Sequence, residues 1–286
     1  YLFNSLTGIY VGAHRSMGNP RLGLVVFTIS MCTNTALNWV LIFGNLGVPR
    51  LEVEGAALAT LISRVVEFAA MAVYAGGNRR FRLRLSCLIR PGREIVRKFI
   101  HYSGPVVFNE GMWGLGTSLY KVIMGHMEGS TEILAARALA GNIEDICLVA
   151  IFAMAGTTGI TVGREIGSGR DSGTVYQVGA AMDTLALFCG LGIGLVLLAA
   201  TRLFLAPVVY PLFRLSENAA GIATMMLTFT AAAMPLRAFN TTNTVGVLRG
   251  GGDVRAAMLI DILPLWCVAL PLAALFGLGL RWGIFW

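Results

Sequence analysis

Glu110, Glu144 and Asp145 stand where a bilayer expels charge, near the middles of the apolar stretches 100–124 and 132–158. A charged side chain at the membrane centre costs about 2.5–3.5 kcal/mol on insertion scales, so each acid requires a reason. In a low-dielectric interior a carboxyl group is either neutral or ionised beside a cation, and its occupancy can therefore report a proton or a sodium ion. One cation moving down ~100 mV releases about 2.3 kcal/mol, enough for a roughly 40-fold gradient of a second solute at about 1.4 kcal/mol per tenfold. The competing reading is a structural ion pair, for example Glu110 with Arg137 or Lys121. At helical spacing Val106, Glu110, Trp113, Thr117 and Lys121 share one face, which puts carboxylate, indole and ammonium on one wall. With the two stretches antiparallel, Glu110 can meet Glu144 and Asp145 at one depth.

Transmembrane helices must position these groups. Apolar residues make up 56% of the 286 and charged ones 13%, and the mean hydropathy is +0.72. About 20 apolar residues span a bilayer as a helix. Seven runs of that kind and one partial run lie near 1–13, 22–43, 55–75, 100–124, 132–158, 177–201, 218–247 and 256–280. The runs are continuous rather than alternating, which excludes a β-barrel. The expected fold is all-α and polytopic.

The formal charge of +7 sits in a few short tracts. With segments alternating in direction, one side receives Arg15, Arg21, the basic cluster between Arg79 and Lys98, Arg164, Arg170, Arg249 and Arg255, and the other only Arg50, Arg202 and Arg214. The first side is then cytoplasmic. No aromatic interleaving accompanies the charge, so nucleic acid is not an expected partner, whereas the lipid bilayer is. Arg15, Gly18 and Arg21 recur in spacing as Arg249, Gly252 and Arg255, each tract preceding a helix-length apolar stretch. Both fall in cytoplasmic loops six segments apart, which implies two parallel repeats, with these tracts as hinges or anchors. Cys32, Cys87, Cys147, Cys189 and Cys267 are scattered without metal-site spacing and are read as packing residues.

These pieces together resemble the multidrug and toxic compound extrusion family of cation-coupled efflux transporters, twelve helices in two six-helix lobes. The resemblance rests on Asn34-Thr-Ala-Leu-Asn-Trp-Val-Leu-Ile-Phe-Gly44, on Gly55-Ala-Ala-Leu-Ala-Thr-Leu-Ile-Ser63, and on the tract 248–255 followed by Asp261, Trp266 and Pro271. It implies that 1–75 is a remnant of the first lobe (the family's helices four to six), that 76–98 is a basic cytoplasmic interlobe loop, and that 99–286 holds helices seven to eleven and the start of twelve. On this reading the first helices and the last are absent. It further implies a functional glutamate on helix seven, which Glu110 in Phe-Asn-Glu-Gly-Met-Trp matches. The activity implied is antiport of amphipathic, often cationic compounds against a proton or sodium ion by alternating access. A monomer in a bacterial cytoplasmic membrane is expected, with no cofactor and no enzymatic activity.

Asn34 and Asn38, in line with Ser30, and Asn240 and Asn243 are candidates for the substrate path together with Trp113; interhelical hydrogen bonding explains the first stripe equally well. Asn240 and Asn243 stand where some sodium-coupled relatives place a carboxylate, which speaks against a multi-carboxylate sodium site. Arg237, after Pro235, is expected to neutralise an acid, while Asp183 and Asp261 lie nearer cytoplasmic helix ends, within reach of water. Two other classes stay open. A lipid-linked-oligosaccharide flippase of the same superfamily needs a more cationic cavity, for which Lys121, Arg137 and Arg237 are available. An integral-membrane enzyme needs an acid/base set near the interface, and His14, His101 and His126 are widely separated.

Overall fold

In the computed structural model the described residues are 2–78 and 92–280. They form eight helical rods and no strand: α1 (Leu2–Ser16), α2 (Arg21–Phe43), α3 (Glu52–Gly77), α4 (Arg93–Gly125), α5 (Ser130–Gly167), α6 (Ser172–Leu212), α7 (Glu217–Leu248) and α8 (Val254–Gly279). All except α1 and α4 are long and apolar enough to cross a membrane. Helix α4 is 33 residues long, but Asn109, Glu110, Lys121 and several glycines in its interior, together with Arg93, Glu94, Arg97 and Lys98 in its first turns, lower its hydropathy. The chain divides into two compact units, Tyr1–Gly92 and Arg93–Trp286. Of the basic segment 76–98, residues 79–91 lie outside the described set, as does Cys87; its ends are helical, since α3 runs through Gly77 and α4 begins at Arg93.

Lipid satisfies no backbone hydrogen bond, so the helices are continuous, and lipid gives no hydrophobic drive for helix to meet helix, so close contacts form where small residues align. In the second unit Gly179, Asp183, Ala186, Gly190, Gly194 and Leu197 form the buried stripe of α6. A Cβ built at Gly190 would lie 2.6 Å from the Ala238 Cβ, and one at Gly194 would overlap the Ala231 carbonyl, so α6 runs antiparallel to α7 at backbone contact. Helix α5 also meets α7 at backbone contact, but runs parallel to it: a Cβ at Gly246 would lie 2.8 Å from the Thr158 Cβ, and one at Gly250 2.7 Å from the Gly159 Cα. Ile133, Ile151, Leu227 and Met234 fill the remaining core. In the first unit Tyr10, Val11, Leu22, Val26, Met71 and Ala75 hold α1, α2 and α3 together. Cys32, Cys189 and Cys267 are exposed rather than packed inside, contrary to the sequence reading.

Both arginine–glycine tracts close their helix with one hydrogen-bond pattern. The Asn19 N–H donates to the His14 carbonyl at 2.9 Å and the Gly18 N–H to Arg15 at 3.0 Å; Asp253 donates to Leu248 at 2.9 Å and Gly252 to Arg249 at 3.1 Å. Gly18 (φ 83°) and Gly252 (φ 92°) occupy the left-handed position this cap demands, where a Cβ is strained. The recurring spacing therefore encodes a recurring turn. Asp253 and Ser216 cap the N-termini of α8 and α7 through the Ala256 and Ala219 amides. Several rods continue through π-type turns where a regular helix would end, including Thr201–Val209 around Pro207 and Leu265–Ala269 after Pro264.

Candidate functional site

Glu110, Arg249, Asp261 and Asn109 form a cluster in the second unit. Arg249, at the end of α7, donates from Nη1 to Glu110 Oε1 of α4 at 3.0 Å and from Nη2 to Asp261 Oδ2 of α8 at 3.4 Å. Asn109 Nδ2 donates to the same Asp261 oxygen at 3.1 Å. Asn109 is 3% exposed, and its Oδ1 has no hydrogen-bond partner among the described residues. Nearby, the Trp266 indole N–H donates to the Met112 carbonyl at 3.3 Å, which locks α8 on α4. Two carboxylates thus share one guanidinium, leaving a formal charge of −1 and a buried amide oxygen. That donor set suits a proton or a small monovalent cation, in competition with Arg249 for the carboxylate oxygens. The Glu110 side chain is 60% exposed and the Arg249 side chain 16%, so the Glu110 carboxylate is open while the guanidinium is held inside.

Glu144 sits elsewhere with the opposite balance. It is buried on α5, accepts from Arg137 Nη1 at 2.9 Å through Oε2, and pairs with Arg237 of α7 through Oε1. Two guanidiniums and one carboxylate leave a formal +1. Arg237 and Arg249 are twelve residues apart on α7, roughly 18 Å at 1.5 Å per residue. The expectation that Glu110, Glu144 and Asp145 gather at one depth is therefore corrected: each cluster forms where α7 supplies an arginine. Asp145 is exposed and makes no ion pair or hydrogen bond among the described residues, because it faces away from the α7 contact that buries Glu144. The ion pair suggested between Glu110 and Arg137 or Lys121 does not form either; Arg137 bonds Glu144, and Lys121 is exposed.

The remaining candidates separate as well. Trp113 is 46% exposed, Asn240 is exposed, and Asn243 is half-buried. In the first unit Asn38 donates to Asn34 at 3.0 Å, Asn34 to the Ser63 hydroxyl at 3.4 Å, and Ser30 to the Ser63 carbonyl at 3.4 Å, so this stripe ties α2 to α3. Arg15, Arg21 and Arg255 are exposed beside their turns, unlike Arg249. Asp183, expected within reach of water, is instead buried in the α6 stripe.

Sequence reasoning passed over Glu67 and Arg64 of α3. Glu67 is 0% exposed and bonds Arg64 at 2.5 Å, and Arg64 also donates to the Asn4 Oδ1 at 3.3 Å. The signal was present, since both charges interrupt the apolar run 55–75 three residues apart, as Glu110 interrupts its own. Asn109 was overlooked beside the more conspicuous Glu110.

A family model described as MatE matches residues 105–275, a span containing both clusters. The chain belongs to the MatE family. This MatE chain is 27% identical over 251 residues to the uncharacterized transporter YisQ of Bacillus subtilis, covering 88% of this chain and 53% of that protein. It is 29% identical over 283 residues to the multidrug resistance protein NorM of Burkholderia vietnamiensis, covering 95% and 58%. The fold matches, at a TM-score of 0.80 and 18% identity, a multidrug resistance MATE family transporter of the MOP superfamily solved in an outward-facing conformation, over 97% of this chain and 60% of that one. The chain thus spans little more than half the length of the curated relatives it matches. Its apolar helices and bacterial relatives make this MatE chain a multi-pass protein of the bacterial cell membrane.

Proposed function

We propose that the chain is part of an exporter of amphipathic, often cationic compounds, driven by entry of a proton or sodium ion and working by alternating access. The observation that carries this reading is the Glu110–Arg249–Asp261 cluster, one cation short of neutrality. A proton or sodium ion on Glu110 weakens its bond to Arg249. Arg249 directly precedes the glycine turn that joins α7 to α8, so occupancy of the carboxylate is transmitted to that junction. Asp261 keeps Arg249 placed while Glu110 exchanges its partner. The drug-efflux names of relatives such as the Burkholderia NorM support the substrate class.

The test follows efflux of a fluorescent cationic dye from proteoliposomes under separately imposed proton and sodium gradients. Glu110→Gln keeps the shape and removes the charge; gradient-driven efflux is expected to vanish while membrane insertion persists. Wild-type efflux by Glu110→Gln overturns the proposal. A second reading, a flippase for an anionic lipid-linked substrate, is favoured by the net positive Arg137–Glu144–Arg237 cluster. It predicts no dye efflux under either gradient, and lipid-analogue translocation that falls when Arg237 is replaced by Met.

A further inference from the structure

Asp183 belongs to neither cluster, and its surroundings are apolar or neutral. It lies on the α6 stripe between Gly179, whose Cβ would meet Val247 at 3.3 Å, and Gly190, whose Cβ would meet Ala238 at 2.6 Å. Antiparallel register between those points sets Asp183 opposite residues 241–245 of α7. There α7 winds in π-type turns over Thr242–Leu248 and buries Thr242 and Thr244. Asp183 is 9% exposed. Its Oδ1 and the Thr242 Oγ1 are both buried without a hydrogen-bond partner among the described residues.

The charged groups on the packed elements lie away from this level. Arg237 and Arg249 are each six residues from position 243 on α7, roughly 9 Å of rise, and are engaged with Glu144 and with Glu110 and Asp261 respectively. On α5 the level is that of Ala155, whose carbonyl a Cβ at Gly246 would approach at 2.9 Å. The nearest charges on that helix in either direction, Arg164 and Asp145, are nine and ten residues away, with Glu144 one residue further. An ionised carboxylate here would be desolvated and unpaired, a state that costs several kcal/mol. A sodium ion fits no better: it requires several oxygens around it, whereas the seam is closed at backbone contact and no group of three or more His, Cys, Asp or Glu side chains converges among the described residues. A proton satisfies both constraints, since the neutral acid carries no charge to be paired and needs no shell of oxygens around it.

We propose that Asp183 is a protonation site distinct from the Glu110 cluster, holding its proton while the α6–α7 seam is closed and releasing it to water only when the seam parts. The proposal does not depend on the coupling role of Glu110.

Infrared difference spectroscopy of the purified protein in lipid nanodiscs, titrated from acid to alkaline pH, tests it. The expected result is a carboxylic-acid carbonyl band that persists at neutral pH, exchanges slowly in deuterium oxide, disappears in Asp183→Asn and remains in Glu110→Gln. Asp183→Asn mimics the neutral acid and is expected to melt at the wild-type temperature at neutral pH. A spectrum of Asp183→Asn identical to wild type throughout the titration overturns the proposal. So does failure of that variant to fold, because the amide then fails to replace a group the proposal makes neutral.

Discussion

A methyl group at Gly250 is expected to push α7 off α5 and disturb the Glu110 cluster in one step. The added Cβ would stand 2.7 Å from the Gly159 Cα and 3.0 Å from its carbonyl oxygen. Carbon atoms in good contact sit about 3.5–4.0 Å apart, so the helices must separate by roughly 1 Å. Both obstructing atoms are backbone, and no flexible side chain can yield. Overpacking of this kind costs about 1–3 kcal/mol, and at about 2–4 °C per kcal/mol for chains near this size the melting midpoint falls by several degrees. Arg249 is the neighbouring residue, and its 3.4 Å bond to Asp261 is already long, so the shift breaks that contact before the 3.0 Å bond to Glu110. The control is Gly156→Ala in α5, where nothing lies within 4 Å of the new Cβ; there alanine gains up to ~1 kcal/mol of helix propensity. Thermal unfolding of the two variants in one detergent is the assay. Gly250→Ala melting at or above wild type while Gly156→Ala melts below it would refute the reading of these helices as held at glycine contact.

Two further outcomes concern charge. Glu144→Gln leaves Arg137 and Arg237 without a counter-charge; the expected loss is about 1–3 kcal/mol, below the value for a fully buried pair because both guanidiniums keep partial access to their surroundings. Adding Arg237→Met is expected to recover part of that stability in the same unfolding assay, and an additive double variant would show that the pair is not coupled. Asp171 lies in the loop before α6, where the Thr174 hydroxyl donates at 2.6 Å and the Thr174 amide at 3.0 Å, and these bonds hold its carboxyl below the ordinary range. Because the folded value is the lower one, the stabilisation is present above the ordinary carboxylate range and is lost as pH falls through the folded value. Asp171→Asn keeps the cap and should flatten the fall of the melting temperature on the acid side of the ordinary carboxylate range, below about pH 4. An unchanged acid slope would place that dependence on another group.

Much of the fold was legible because the bilayer imposes a one-dimensional rule: every long apolar run must become a continuous helix. Eight runs produced eight rods. Their ends were less legible. Helix α5 continues to Gly167 past the reading's limit at 158, and α6 continues past 201 through π-type turns to Leu212; hydropathy marks where lipid ends, not where backbone hydrogen bonding stops.

The acids show what the sequence by itself determined about the site. It marked Glu110 and Glu144 as charges needing a reason, and the Arg-x-x-Gly-x-x-Arg spacing marked the two turns. Helical periodicity also identified the face each acid shares with its neighbours on the same rod. It could not say which rod that face meets, because contact depends on the rotation and depth at which small residues let two helices touch. Glycine contacts of α7 with α5 and α6 set that rotation and depth. They put Arg249 beside Glu110, 139 residues away in sequence, put Arg237 beside Glu144, 93 residues away, and enclosed Asp183 with no charged partner at its level. Local spacing therefore determined the helices, their turns and the presence of titratable groups within them, whereas the partner and charge balance of each group follow from packing between distant segments.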